Sequence, residues 1–172
     1  MSFEEAPAIN ALVTLYGLAV DTQRWDLFDD VFTEDVHADY GAPAVWTDLK
    51  TFKRDFAAYH DPFDGTMHTM TNVSFSVKGD VGSVITYGHW LLKRNKVDGG
   101  NTWQGQGWYD DEIVRQSNGW RIKRRVCRIV NWSGNCLVNQ TIPGVDFAMT
   151  TSSMRAHADA GTLGLLKMKG VR

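Results

Sequence analysis

The sequence predicts an α+β domain in which a curved, cone-shaped antiparallel sheet wraps around N-terminal helices. Up to Asp61, apolar residues recur every three or four positions, which is typical of amphipathic helices. From Thr66 to about Trp132 the period is two, and turn signals divide this half into long strands. Helices followed by a strand meander indicate an α+β arrangement, in which the sheet must cover the apolar faces of the helices.

Three helices are predicted in the first half of the chain. The first covers 4–21, with Pro7 in a first turn that tolerates proline. The second covers 22–33, and a short extended segment follows it. The third covers 47–61 and is capped by Thr47 or Asp48.

Four strands are predicted in the second half, over 66–79, 81–96, 102–116 and 119–133. Turn residues separate them, so consecutive strands form hairpins and the sheet is antiparallel. Glycines inside the strands permit the curvature that a wrapping sheet needs. These glycines are Gly82, Gly88, Gly105 and Gly107.

The chain of 172 residues, of which 43% are hydrophobic, is long enough for one domain with a substantial core. We expect this domain to span residues 1–140. The remaining segment, 141–172, has a weaker pattern with one short helix. We expect it to pack on the domain or on a neighbouring subunit, with part of it mobile.

The overall charge argues against large anionic partners. A net charge of −2 and a pI near 6.2 provide no general attraction to nucleic acid or to an anionic membrane surface. The expected partner is a small hydrophobic or aromatic substrate, because seven tryptophans are typical of a protein that lines a cavity or interface with rings.

Neither a metal site nor a cofactor is expected from the sequence. Cys127 and Cys136 lie nine residues apart, without the paired spacing of a zinc site or a disulfide framework. We interpret them as reduced thiols of a cytoplasmic protein. The N-terminal residues lack the pattern of a signal peptide, and no apolar run approaches the length of a membrane span.

The stretch GTMHTMTN places His68 at the start of a predicted strand, where it is either a catalytic base or an ordinary partnered strand histidine. Strict alternation puts His68 on the face opposite Val73 and Phe75. Either the polar face of the strand points into a pocket, or a bulge between His68 and Val73 changes the alternation. We favour a bulge or a strong bend.

Tyr16 and Asp21 lie five residues apart on the first helix, so the carboxylate ends a face that must pack inside the sheet. A buried carboxylate requires a partner, and a histidine that it orients becomes a general base near neutral pH. The alternative is that Asp21 caps the helix starting at Thr22.

Four segments together resemble the SnoaL-like branch of the nuclear-transport-factor-two-like superfamily. They are LYGLAVD, LFDDVFTEDV, HTMTN and GWRIKRRVCRIVNW, and the resemblance extends from about Ile9 to Trp132. That branch contains scytalone dehydratase, hexachlorocyclohexane dehydrochlorinase and bile acid dehydratase. The resemblance implies the cone fold and, in many of its enzymes, a trimer built through the sheets. Exposed tryptophans on the long strands are consistent with such an assembly.

The resemblance also implies site residues. The family's catalytic aspartate and histidine fall on Asp21 and His68, and the assisting tyrosine of the bile acid enzyme falls on Tyr16. A basic residue on the last strand falls near Arg125, with Arg124 and Arg128 as alternative positions. His89 is an approximate counterpart of a second histidine. The candidate pocket walls are Tyr40, Trp46, Phe56, Tyr59, Phe63, His89 and Trp108.

The resulting hypothesis is a cofactor-independent lyase that eliminates water or another small leaving group from a hydrophobic cyclic or aromatic compound, with aldehyde release as a variant. An isomerase or cyclase would use the same groups. The competing class is a non-catalytic small subunit of a ring-hydroxylating dioxygenase, which shares the fold as a scaffold.

Overall fold

The computed structural model describes residues 4–145 and 150–171, with six strands in one open, curved sheet. The α-helices are α1 (Ala6–Asp21), α2 (Phe28–Val31), α3 (Leu49–His60), α4 (Met154–Asp159) and α5 (Gly164–Lys169). The strands are β1 (Phe32–Asp39), β2 (Val45–Trp46), β3 (Gly65–Lys78), β4 (Val81–Lys93), β5 (Thr102–Gln116) and β6 (Gly119–Gly134). Their order across the sheet is β2-β1-β6-β5-β4-β3. The predicted α+β class is confirmed.

Helix α1 packs against the inner face of the sheet. Its apolar residues at helical spacing, among them Ile9, Val13 and Tyr16, are fully buried. Burial of each large apolar side chain contributes about 1.5–3 kcal/mol. Gly17 lies against β3, because a Cβ atom at this position would be 3.3 Å from the main-chain oxygen of His68. The last turn of α1 is therefore next to the start of β3.

The second predicted helix, 22–33, is shorter in the structure. A 3₁₀ turn at Trp25–Leu27 leads into α2, and Phe32 already belongs to β1. Spacing alone misled the prediction because Phe32 is buried in the strand as it would be in a helix. Strand β1 pairs in parallel with β6, so the expected antiparallel pairing holds for the four strands β3 to β6.

Helix α3 begins with one of the two predicted caps. The Oδ1 atom of Asp48 accepts a hydrogen bond from the backbone N–H of Thr51 at 2.7 Å, which satisfies a donor of the first turn. Phe52 and Phe56 then contact the ring of Phe28 in α2. The two helices thereby form one side of the apolar interior.

Strand β3 contains the bulge that the sequence favoured. The register with β4 shifts between Thr71 and Ser74, and Asn72 has a φ of 49°. An asparagine tolerates this left-handed conformation better than most side chains. The bulge places His68 on the same inner face as Phe75, which is buried in the core.

Glycines of the central strands leave room for two indole rings. A Cβ at Gly105 would lie 2.3 Å from Cη2 of Trp103, and one at Gly88 would lie 2.7 Å from Cζ2 of Trp90. The rings therefore lie close against the sheet backbone. Four tryptophans of the long strands are buried within the subunit, although we expected exposed tryptophans on these strands: Trp90, Trp103, Trp108 and Trp120.

The C-terminal segment returns to the outer face of the sheet. Leu163 and Leu165 pack with Ile85 of β4 in a second apolar cluster. Before reaching it, the chain passes the end of β1, where Thr151 bridges Ile129 of β6 in parallel. Among the described residues, no helix is both long and apolar enough to cross a membrane.

Candidate active site

A cavity of about 1030 Å³ opens between α1, α3, the inner face of the sheet and the segment that follows β6. This volume is at the upper end of the range for small-molecule sites, roughly 300–1,000 Å³. Apolar and aromatic side chains dominate its walls, and His68 and Tyr16 both line it. The cavity thus lies at the junction where α1 ends and β3 begins.

Asp21 holds His68 at this junction. Its Oδ1 atom is 2.7 Å from Nδ1 of His68, and its Oδ2 accepts the backbone N–H of the same residue at 2.8 Å. Oδ1 also accepts the hydroxyl hydrogen of Thr66 at 2.8 Å. The side chain of His68 is only 6% exposed and that of Asp21 is 23% exposed. The carboxylate therefore fixes both the strand and the imidazole.

The charge of Asp21 determines the tautomer of His68. Burial raises the pKa of the Asp21 carboxyl, but the hydrogen bonds from His68 and Thr66 outweigh this effect, and the pKa is lowered. An ionised carboxylate only accepts hydrogen bonds, so Nδ1 of His68 must be the donor. In the neutral imidazole, Nε2 then carries a free lone pair that can accept a proton.

Tyrosine hydroxyls form a second polar group at the cavity. The Oη atoms of Tyr16 and Tyr40 are 2.9 Å apart, and the ring of Tyr109 packs against that of Tyr16 with 5.5 Å between the ring centres. The hydroxyl of Tyr109 accepts the indole N–H of Trp90 at 2.7 Å. Burial raises the pKa of Tyr16 well above its ordinary value, so its hydroxyl stays protonated and available as a donor.

Arg125 lies behind these tyrosines and does not line the cavity. Its guanidinium carbon is 4.1 Å from the ring centre of Tyr16 and 4.3 Å from that of Tyr109. Two hydrogen bonds of 2.8 and 2.7 Å join it to Asp111, and both side chains are 0% exposed. Arg125 is therefore buried inside the domain, and it is not placed to contact a substrate in the cavity directly.

A sequence model of the SnoaL-like domain matches residues 2–126. Uncharacterised proteins of Mycobacterium tuberculosis and Mycobacterium bovis are each 33% identical to the chain over 128 residues, covering 69% of this chain and 80% of the relative. The chain belongs to the SnoaL-like domain family.

Solved structures share the fold of this SnoaL-like protein. A protein of Kribbella flavida aligns with a TM-score of 0.76 and 20% identity, over 81% of this chain and 99% of the other. A scytalone dehydratase-like protein of Novosphingobium aromaticivorans aligns with a TM-score of 0.69 and 22% identity, over 75% of this chain and 86% of the other. The hexachlorocyclohexane dehydrochlorinase of Novosphingobium barchaimii aligns with a TM-score of 0.66 and 16% identity, over 84% of this chain and 94% of the other. At these identities the likeness establishes the fold alone.

The predicted walls of the SnoaL-like cavity divide into two groups. Tyr40, Trp46, Phe56 and Tyr59 line it. Three other predicted residues do not line the cavity: Phe63, His89 and Trp108.

Phe63 packs against the cavity residue Tyr59, with 5.3 Å between the two ring centres. His89 and Trp108 each precede an inward-facing residue and therefore lie on the outer face of the sheet. There, Nε2 of His89 is 3.2 Å from the amide oxygen of Gln104, and the ring of Trp108 contacts His157 of α4.

His60 is a cavity residue that the sequence reasoning did not single out. Its Nδ1 donates to the main-chain oxygen of Phe56 at 2.7 Å, and burial lowers the pKa of the imidazole to about 3. Its ring centre is 6.5 Å from that of His68. His60 is therefore a neutral side chain beside the candidate base.

Further cavity residues follow from strand register. His68 pairs with Trp90 across β3 and β4, and directly opposite residues share a face of the sheet. Once His68 is placed inward, Trp90 and then Trp103 can be assigned inward by alternation. No comparable signal identifies Asn139, which follows β6. Arg128, named from the sequence as an alternative to Arg125, does line the cavity, where its guanidinium bonds Asp39.

Proposed function

We propose that this SnoaL-like protein is a cofactor-independent lyase that eliminates water, or another small leaving group, from a hydrophobic cyclic or aromatic compound. The observation that carries the proposal is the hydrogen-bonded pair of Asp21 and His68 at the wall of a large, mainly apolar cavity. A scaffold protein has no need of this pair, which supports catalysis over the dioxygenase-subunit alternative.

His68 is the general base in this proposal. Its Nε2 lone pair takes a proton from a substrate carbon, and the electron pair of that C–H bond forms the new double bond as the leaving group departs with its own electron pair. The imidazolium that forms is stabilised by the carboxylate of Asp21 at 2.7 Å. General acid–base help of this kind contributes roughly 10²–10⁴-fold to the rate.

The tyrosine hydroxyls are the proposed donors to the departing group. The three hydroxyls of Tyr16, Tyr40 and Tyr109 supply three hydrogens, and the one bond among them, between Tyr16 and Tyr40, uses one. A remaining hydroxyl hydrogen is proposed to bond a departing oxygen or halide. Arg125, stacked on two of the rings, is proposed to act on this group through them.

An isomerisation would use the same base, because the proton accepted by His68 can be returned to another carbon. The elimination is favoured since the hydroxyl cluster supplies a donor for a leaving group. The comparison proteins named for a dehydratase and a dehydrochlorinase are consistent with this choice.

The test is turnover of a panel of hydroxylated aromatic and steroid-like compounds, followed by mass spectrometry for loss of one water. We expect wild-type protein to convert a member of the panel, and His68→Gln and Asp21→Asn to lower its rate by roughly 10²–10⁴-fold. His89→Gln, on the outer face, is the matched control and should retain activity. Unchanged turnover in both dyad variants would refute the proposal.

A homo-oligomer, with a trimer favoured, remains a prediction. The burial of the strand tryptophans removes one argument for it, since those rings are already covered within the subunit. Light scattering on the purified protein distinguishes a trimer, which we expect, from a monomer, which would contradict the prediction.

A further inference from the structure

Two residues that line the cavity each carry a buried side-chain nitrogen without a hydrogen-bond partner among the described residues. The nitrogens are Nε1 of Trp103 and Nδ2 of Asn139, whose residues are 3% and 1% exposed. Most buried donors in proteins are paired, and an unpaired one costs about 1–3 kcal/mol. Two such donors on residues that line one cavity make an atom of a bound ligand the candidate partner.

The orientation of the Asn139 amide is fixed by the protein. Its oxygen accepts the hydroxyl hydrogen of Tyr59 at 2.7 Å, which leaves the NH₂ end without a partner. Asn139 ends the 3₁₀ turn Cys136–Asn139, which Asn135 caps by accepting the N–H of Leu137. The amide of Asn135 also donates to two main-chain oxygens of the loop between β4 and β5. The donor is therefore held on a braced segment.

Trp103 belongs to the same end of the cavity. The main-chain oxygen of its neighbour Thr102 accepts the N–H of Asn135 at 2.9 Å, which joins the start of β5 to the turn carrying Asn139. The indole cannot retract from its position, because it already lies against Gly105. Both donors are thus preorganised before any ligand arrives.

We propose that Trp103 and Asn139 bind a neutral carbonyl oxygen of the substrate. This inference rests on the proposed function in taking the cavity as the substrate site, and it adds the chemical class of group that the substrate presents. A carbonyl oxygen has two lone pairs and so accepts both N–H groups.

A neutral acceptor fits better than a carboxylate. Arg128 is the cation that lines the cavity among the described residues, and its guanidinium is already bonded to Asp39. A carboxylate would therefore lose its hydration without gaining a free counter-ion, which is strongly unfavourable in an apolar site. A ketone or ester loses much less on entering.

The carbonyl site and the candidate base are connected by two side chains. The hydroxyl of Tyr59 bonds Asn139, the ring of His60 is 4.9 Å from that of Tyr59, and His68 follows at 6.5 Å from His60. A bound carbonyl would therefore hold one end of the substrate while the carbon to be deprotonated lies near His68. The two sites together specify orientation as well as affinity.

The test is isothermal titration calorimetry with two ligands of matched shape, 2-acetylnaphthalene and 2-isopropenylnaphthalene. They differ by replacement of the carbonyl oxygen with a methylene group. We expect wild-type protein to bind the ketone about tenfold more tightly, which corresponds to roughly 1.4 kcal/mol from two hydrogen bonds offset by desolvation. Asn139→Asp and Trp103→Phe should each reduce this ratio, and the double variant should abolish it.

The controls separate this inference from the proposed function. His68→Gln should lose turnover yet keep the ketone preference, because it does not touch the donors. Asn131→Asp, on the outer face of the sheet, should keep both the turnover and the ketone preference. Tyr59→Phe removes the hydrogen bond that orients the Asn139 amide, so it should lower the ketone preference. Trp103→Phe tests the other donor separately. Equal affinity of wild-type protein for the two ligands, or an unchanged ratio in the double variant, would overturn the proposal.

Discussion

The carboxylate of Asp21 binds the main chain and the side chain of His68 at once. Its two oxygens accept the backbone N–H at 2.8 Å and the ring Nδ1–H at 2.7 Å. One group at the end of α1 therefore sets the position of β3 and the orientation of the imidazole. Substitution of Asp21 should consequently affect stability as well as catalysis.

Asp21 should make the protein more sensitive to acid. The pKa of its carboxyl is lowered in the folded state, so the unfolded chain binds the proton more readily. The stabilisation is present above the unfolded pKa of about 3.9 and is lost as the pH falls through the lower folded value. In urea unfolding, the stability of wild-type protein should fall more steeply below about pH 4 than that of Asp21→Asn. Parallel profiles would contradict this account.

His60 should contribute to pH dependence in a higher range. Its pKa is about 3 in the folded state because burial disfavours the charged ring, whereas an unfolded histidine titrates near 6.5. The unfolded state therefore binds more protons between these values, and stability decreases as the pH falls from 6.5 towards 3.

For His60, the expected loss is about 2 kcal/mol between about pH 7 and pH 5. The variant His60→Gln should remove most of this loss in urea unfolding at the two pH values. His37→Gln, at an exposed position of β1, is the matched control. An equal loss in wild type and His60→Gln would contradict the assignment.

These groups illustrate what the sequence could predict. The pairing of Asp21 with the strand of His68 followed from a resemblance and from the need of a buried carboxylate for a partner. The bulge followed from the conflict between His68 and the apolar residues after it. The role of His60 was not predictable, because burial of a histidine at the end of a helix depends on rings from the 3₁₀ turn at Trp25–Leu27, from α3 and from β3 that meet only in the fold.

The ion pair of Arg125 and Asp111 should be a stability determinant. Both groups are fully buried, so removing one leaves an uncompensated charge. Asp111→Asn should lower the free energy of unfolding by about 3–5 kcal/mol in urea denaturation. Asp30→Asn removes the exposed partner of Arg121 as a matched control, and should cost less than about 1 kcal/mol. Similar effects of the two substitutions would contradict this role.

The hydroxyls of Tyr16 and Tyr40 should act as one unit in catalysis. Their Oη atoms share a hydrogen bond of 2.9 Å, so removal of either interrupts the same network. Tyr16→Phe and Tyr40→Phe should each lower kcat by roughly 10–10³-fold, as loss of a positioned donor does. The double variant should be little worse than the more impaired single variant. Fully multiplicative effects in steady-state kinetics would indicate independent roles.

Two of the predicted cavity residues show what strand register would have added to the prediction. His89 and Trp108 were assigned to the cavity, but each lies one position from the inward-facing residue of its strand, and a shift of one residue changes the face. Because His68 pairs with the inward-facing Trp90, counting along the paired strands places His89 and Trp108 on the outer face of the sheet. Asn139 required the three-dimensional structure, because it follows the last strand and has no periodic pattern around it.

The central claim is that Asp21 keeps the proton of His68 on Nδ1 and leaves Nε2 free for the substrate. Long-range ¹H–¹⁵N correlation spectra of protein labelled at histidine nitrogen measure this directly, with His68→Gln to assign the signal. The account predicts that neutral His68 in wild-type protein is protonated at Nδ1 and that Asp21→Asn weakens this preference. A proton on Nε2 of neutral His68 in the wild-type protein would contradict it.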